Sequence, residues 1–198
     1  MSYFKIKSFA KINLALNVTG KKNSLHKIES IVSFVDLHDE ILIKKIDKNS
    51  NKIKFIGKFS KRIRSKNTVS QLLENINKKN LLKGKFQIIV KKNIPSEAGL
   101  GGGSMNAANV LNFLIKKKLI RIKKKEINEI SNSIGSDVVL GLYSKNLILK
   151  SNNSINTPLI KKKIYTLIVK PNFGCTTKKI YSRVKKFSKS KFNITSKH

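Results

Sequence analysis

The chain has 198 residues, 43 Lys and Arg against 10 Asp and Glu, and a formal net charge of +33. That length carries one large domain or one and a half small ones, with enough chain for a buried core. The single cysteine excludes an internal disulfide framework, the scattered His26, His38 and His198 do not make a metal site, and no apolar run is long enough to cross a bilayer.

The charge first suggests polyanion binding. Its lysines, however, lie in short runs along the whole chain among many Asn and Ile, as mutational bias toward A and T leaves them. A nucleic-acid surface would instead cluster basic and aromatic residues on one face. The N-terminal Met-Ser-Tyr-Phe-Lys-Ile-Lys lacks a signal-peptide core, so a cytoplasmic location is expected.

Residues 1–18 read as one long bent strand or two shorter ones. Ile12, Leu14, Leu16 and Val18 alternate with Lys11, Asn13 and Asn17, which puts Lys11 and Asn13 on one face, away from the core. By pattern alone they are ordinary half-exposed strand residues. Residues 20–25 read as a turn, and 28–37, 39–46 and 52–56 as strands, the last two joined by a polar turn over 47–51. Residues 58–66 form a basic loop. Asn67 then caps a helix whose Val69, Leu72, Leu73 and Ile76 lie on one side.

Next comes the stretch that carries chemistry. Phe86, Ile88 and Val90 alternate as in a strand. Ile94-Pro95-Ser96-Glu97-Ala98-Gly99-Leu100-Gly101-Gly102-Gly103-Ser104-Met105 follows, and Ala107, Val110, Leu111 and Leu114 then recur at helical spacing. Strand, glycine-rich loop and helix start make an anion site: glycine lets a ligand approach the backbone, and the helix start offers free N–H groups. The simpler alternative is a helix cap with spare glycines. No Gly-Lys-Ser/Thr follows, and Ser104 stands where a dinucleotide fingerprint needs its third glycine.

The loop helix ends in basic residues 116–118, which suit a helix C-terminus. A further helix over 123–134 closes at Gly135, a natural C′ residue. Asp137, an acid among apolar neighbours, is read either as the cap of a helix from Val138 onward or as a chemical group. Residues 146–150 and 164–170 read as strands. Beyond Pro171, residues 178–198 are polar, basic and barely periodic, and a frayed end is expected.

Four motifs in order resemble the GHMP kinases, in particular their branch acting on a diphosphocytidyl-linked polyol in non-mevalonate isoprenoid synthesis. They are Phe9-Ala10-Lys11-Ile12-Asn13-Leu14; Leu25-His26 with Glu29-Ser30-Ile31 and Asp36-Leu37-His38-Asp39; Pro95 to Ala108; and Gly135-Ser136-Asp137-Val138. The resemblance covers roughly residues 5–182. It implies an α+β fold, with a GHMP kinase N-terminal domain over 1–162 like a ribosomal-protein domain, and the start of a C-terminal α/β domain over 163–198.

The resemblance further implies ATP on Pro95–Met105, with Asn67 near the nucleotide, and Mg²⁺ bridging the phosphates. It makes Asp137 the general base and Lys11 its partner at the acceptor hydroxyl. Asn13 and His26 would contact the small-molecule substrate, and Pro171, Thr176, Thr177 and Tyr181 would begin a substrate wall. Leu25 departs from the family's usual aromatic, Met105 from a second hydroxyl, and Val139 and Gly141 from a proline and a following aromatic. After Gly141 only Gly174 remains toward the family's second glycine-rich loop. The alternatives are a nucleic-acid-binding module using the basic surface, or an inactive remnant of a kinase.

Overall fold

The computed structural model describes residues 2–23, 25–158, 164–171, 173–174 and 177–192, without the side chains of 177 and 178. The expected domain boundary at 162/163, Cys175, Thr176 and residues 193–198 lie outside them. The elements are β1 (Phe4–Lys22), β2 (Leu25–Ile46), β3 (Lys52–Ile56), α1 (Thr68–Lys78), β4 (Lys85–Lys91), α2 (Gly102–Lys116), α3 (Lys124–Ile134), α4 (Ser136–Gly141), β5 (Leu147–Leu149), β6 (Ile155–Asn156) and α5 (Thr177–Tyr181). Contacts divide the chain into two units.

The first unit comprises Met1–Ala10, Asp36–Ser96 and Leu100–Leu142. The C-terminal half of β2 pairs antiparallel with β4, from Glu40 opposite Lys91 to Ile46 opposite Lys85. β3 lies parallel to β4 on its other side. Alternation buries Ile41 and Ile43 of β2 and Phe86, Ile88 and Val90 of β4. They share one core with the apolar stripes of α1 and α2 and with Ile130 of α3 and Val138 of α4. The helical spacings read from the sequence are the ones that face this sheet. Asn67 caps α1 as expected, accepting from the backbone N of Val69 and Ser70, both at 3.0 Å.

The second unit comprises Lys11–Val35, Glu97–Gly99 and Tyr143–His198. The N-terminal half of β2 pairs antiparallel with β5, and β5 with β6. Asn146 fastens the start of β5 to β2: its Oδ1 accepts from Ser33 Oγ at 3.0 Å and Phe34 N at 3.2 Å.

Several expectations need correction. The strands read at 28–37 and 39–46 are one continuous β2, and the turn read at 20–25 is shorter, because β1 runs to Lys22 and β2 starts at Leu25. Lys11 is not on a solvated face: it is 5% exposed, while Leu14 and Leu16 are 45% and 38% exposed. Alternation fixes which side chains share a face; what covers each part of that face is a tertiary matter. α3 closes at Gly135 as expected, with Gly135 as its C-cap rather than the residue after it. The φ of Gly135, 169°, is extended, and Gly135 is the cap residue shared by α3 and α4. Asp137 is not the N-cap of α4, which begins at Ser136, so Asp137 lies inside its first turn.

Residues 164–170 form no strand. Their sequence suits a ladder, but no ladder partner exists for them among the described residues. Within the stretch expected to fray, the described residues up to 192 make definite contacts. α5 forms, Ser188 N donates to Val18 O at 2.8 Å, and residues 190–192 bond to Glu29.

Candidate active site

The glycine loop leaves β4 and enters α2 through backbone that few residues adopt. Gly101 is the N-cap of α2 with φ 66° and ψ 10°, left-handed, and offers no side-chain cap to the free N–H groups behind it. Gly101 itself thus takes none of those donors, and free donors at a helix start are what an anion site uses. Gly102 is set by crowding instead: a Cβ there would lie 3.0 Å from Ile94 Cγ2 and 3.2 Å from Lys92 Nζ. A Cβ at Gly103 would lie 3.3 Å from Thr68 Oγ1, and that hydroxyl donates to Gly103 O at 2.7 Å. A Cβ at Gly99 would meet nothing within 4 Å. The loop is closed beneath its second half and open at Gly99.

Within the first unit the candidates Pro95, Ser96, Leu100, Gly101, Gly102, Gly103, Ser104, Met105, Asn67 and Asp137 occur together. Asn67 has its amide fully engaged. Besides its two cap bonds it donates to Arg64 O at 3.2 Å and Ser65 O at 2.9 Å. Its part in the site runs through the next residue: by fixing the start of α1 it aims Thr68 at the loop. Thr68 as a loop clamp was missed by sequence reasoning, since a threonine at a helix start looks like any other. The Asp137 turn meets the loop helix, because the Cβ position of Gly135 is 3.6 Å from Ser104 Oγ.

Met105 is fully buried, and its Sδ and Cε lie 3.1 Å from where a Cβ at Gly141 would sit. Two departures from the resembled pattern thus meet: a larger side chain at 105 fills room that only glycine at 141 leaves. Conserving volume across a contact is what a close-packed interior tolerates best.

Within the second unit lie Lys11, Asn13, His26, Glu97, Ala98, Gly99, Thr177 and Tyr181. His26 and Tyr181, 155 positions apart in the chain, are brought together: their rings stack at 5.1 Å between centroids and 21° between planes, with Phe187 tilted at 6.4 Å. Asn13 is exposed, and its Oδ1 lies 3.1 Å from Ser30 Oγ. Glu97 takes a left-handed φ of 54°, unusual for a residue with a side chain. Thr177 is the first residue of α5.

Glu29 is the most perturbed acid. Burial raises its pKa, but hydrogen bonds from Asn17, Lys191 N, Ser190 and Phe192 N outweigh that and bring it from 4.5 down to about 2.

This sheet with a glycine loop opening a helix defines a kinase domain of the GHMP type: the profile for the GHMP kinases N terminal domain matches residues 66–145, from the α1 cap through the Asp137 turn. The chain is 58% identical over 194 residues to 4-diphosphocytidyl-2-C-methyl-D-erythritol kinase of Pelagibacter ubique (strain HTCC1062), covering 98% of this chain and 69% of that protein. It is 34% identical over 177 residues to the enzyme of the same name from Thermodesulfovibrio yellowstonii, covering 88% of this chain and 60% of that one. A crystal structure of 4-(cytidine 5'-diphospho)-2C-methyl-D-erythritol kinase shares the fold with a TM-score of 0.62 at 22% identity, over 78% of this chain and 55% of that one. The chain belongs to the 4-diphosphocytidyl-2-C-methyl-D-erythritol kinase family of the GHMP kinases. It spans about 60–69% of the length of these two curated relatives.

Proposed function

We propose that this chain transfers the γ-phosphoryl group of ATP to the 2-hydroxyl of 4-diphosphocytidyl-2-C-methyl-D-erythritol, a step of non-mevalonate isopentenyl diphosphate synthesis in the cytoplasm. The observation that carries it is the left-handed cap of α2 at Gly101, a residue with no side chain of its own to cap the helix, in a chain 58% identical to a kinase of that name. Phosphoryl transfer is mostly positioning and charge neutralisation. The N–H groups around Gly101–Ser104 supply donors and the positive helix end for the phosphates.

Asp137 is the base in this reading, taking the acceptor hydroxyl's proton. Lys11 orients that hydroxyl and offsets the charge that develops on its oxygen. Asn13 and the His26–Tyr181 stack receive the diphosphocytidyl end, with the flat pair of rings as a platform for a base. Thr177 lies at the start of the same helix as Tyr181. Among the described residues no three His, Cys, Asp or Glu side chains form a metal-binding group. Mg²⁺ would arrive on the ATP phosphates, where it would neutralise their charge. No helix among the described residues is long and apolar enough to cross a membrane.

The test is a coupled kinase assay on the purified chain with Asp137→Asn beside it. The parent is expected to turn over the diphosphocytidyl substrate. The variant should lose about 10²–10⁴-fold in kcat, the usual worth of a positioned base, with ATP affinity nearly intact. Turnover of Asp137→Asn at the parent rate would refute the base assignment. A parent that binds ATP without transferring phosphate would favour the inactive-remnant reading. Affinity for nucleic acid that falls steeply with salt would favour the basic-surface alternative.

A further inference from the structure

Beneath the glycine loop lies a charged cluster to which no role in the reaction has been given. Asp39 is fully buried, and Lys92 and Asn106 are nearly so. Asp39 Oδ1 accepts from the backbone N of Asn93 and of Ile94, both at 2.8 Å. Its Oδ2 accepts from Asn106 Nδ2 at 2.9 Å and forms an ion pair with Lys92 Nζ. Asn93 and Ile94 are the stem entering the loop; Asn106 is on the first turns of the helix leaving it. One carboxylate thus ties both stems of the loop together, from a strand more than 50 residues earlier.

Burying a charge pair is expensive, and packing alone is served as well by apolar side chains. The location of the pair is informative. Lys92 Nζ is 3.2 Å from the Cβ position of Gly102, the first residue of α2. A lone buried carboxylate there would oppose any anion approaching that helix start. Lys92 cancels it, so the carboxylate can organise the loop without repelling phosphate. Among the described residues Asn106 Oδ1 is buried with no hydrogen-bond partner, a cost accepted so that Nδ2 can reach Asp39.

We infer that Asp39 is a positioning residue for nucleotide binding, with Lys92 as its charge balance and Asn106 as its link to the outgoing stem. The inference rests on the kinase reading of the loop.

The test is direct binding of ATP to the full chain, with thermal midpoints and the separate KM values measured alongside. Lys92→Met leaves the carboxylate uncompensated and should weaken ATP binding by about tenfold or more, the scale of one charge at a partly buried helix start. The KM for the phosphate acceptor should stay unchanged. Combining Asp39→Asn with Lys92→Met removes both charges and keeps an acceptor for Asn93 N and Ile94 N. The Asn106 amide can then rotate to use its idle Oδ1. This double variant should regain most of the lost affinity.

Asn106→Leu removes the unpaired acceptor and should leave the midpoint level or raised, yet weaken ATP binding by unlinking the stems. It reads the proposal independently should Lys92→Met not fold. A merely structural cluster would make affinity follow the midpoint in every variant. The inference falls if Lys92→Met or Asn106→Leu binds ATP like the parent, or if the double variant binds no better than Lys92→Met. A parent that binds no ATP would instead bring down the kinase reading.

Discussion

Helix α2 and the segment 164–170 are both rich in apolar side chains and treat them oppositely. In α2, Ala107, Val110, Leu111 and Leu114 are fully buried. In the later segment Tyr165, Leu167 and Val169 are 98%, 88% and 80% exposed, although they alternate as a strand should. The first set has a sheet and three other helices of its own unit to pack on. The second has no element covering it among the described residues. Periodicity says which side chains belong together; burial needs a second layer to receive them.

The contrast can be broken most sharply by paired truncations. Leu72→Ala, in the closed core, should cost about 2–5 kcal/mol, the range for emptying a buried leucine site. Leu167→Ala should change stability by less than about 0.5 kcal/mol, as for an exposed position. Urea unfolding of both measures the difference, and equal losses would mean that the later segment is packed in solution.

A smaller effect is expected at the loop itself. Gly102→Val forces side-chain atoms into space already bounded by Ile94 and Lys92, an overpacking of about 1–3 kcal/mol. ATP affinity should fall by about tenfold or more, while the core measured through Leu72 stays folded. Unchanged affinity would remove the second half of the loop from the nucleotide site.

The smallest effect tests the second unit's own anchor. Glu29 has a depressed pKa, so its contribution is fully present above the ordinary value of 4.5 and is lost as pH falls toward about 2. Between those limits residues 188–192 should lose amide-exchange protection while α2 keeps its own. Glu29→Gln should cause a similar loss at neutral pH. If protection at 188–192 were flat across that window, Glu29 would not be what holds them.

Much of the fold was legible from the chain. The α1 and α2 stripes, the Asn67 cap and the β4–loop–α2 passage follow from short-range spacing, because each depends on residues a few positions apart. The motifs around Lys11, the glycine loop and Asp137 were legible too, and the similarity to the curated kinases agrees with the family they suggested. The burial of Lys11 was not legible, nor was the fusion of two strands into β2. For β2 the deciding neighbours, β4 and β5, lie far along the chain. The clamp of Thr68 on Gly103 O spans 35 residues, and nothing in either local pattern marks it.

The sequence by itself determined the periodic elements, the left-handed freedom at Gly101 and the order of the motifs, since backbone sterics and side-chain spacing act over a few residues. Tertiary structure decided the rest. It put a carboxylate from β2 under both stems of the loop, matched Met105 to the vacancy at Gly141, and drew residues 190–192 onto Glu29. Those are contacts between distant segments, and their energies exist only once folding has brought the partners within hydrogen-bond or van der Waals range.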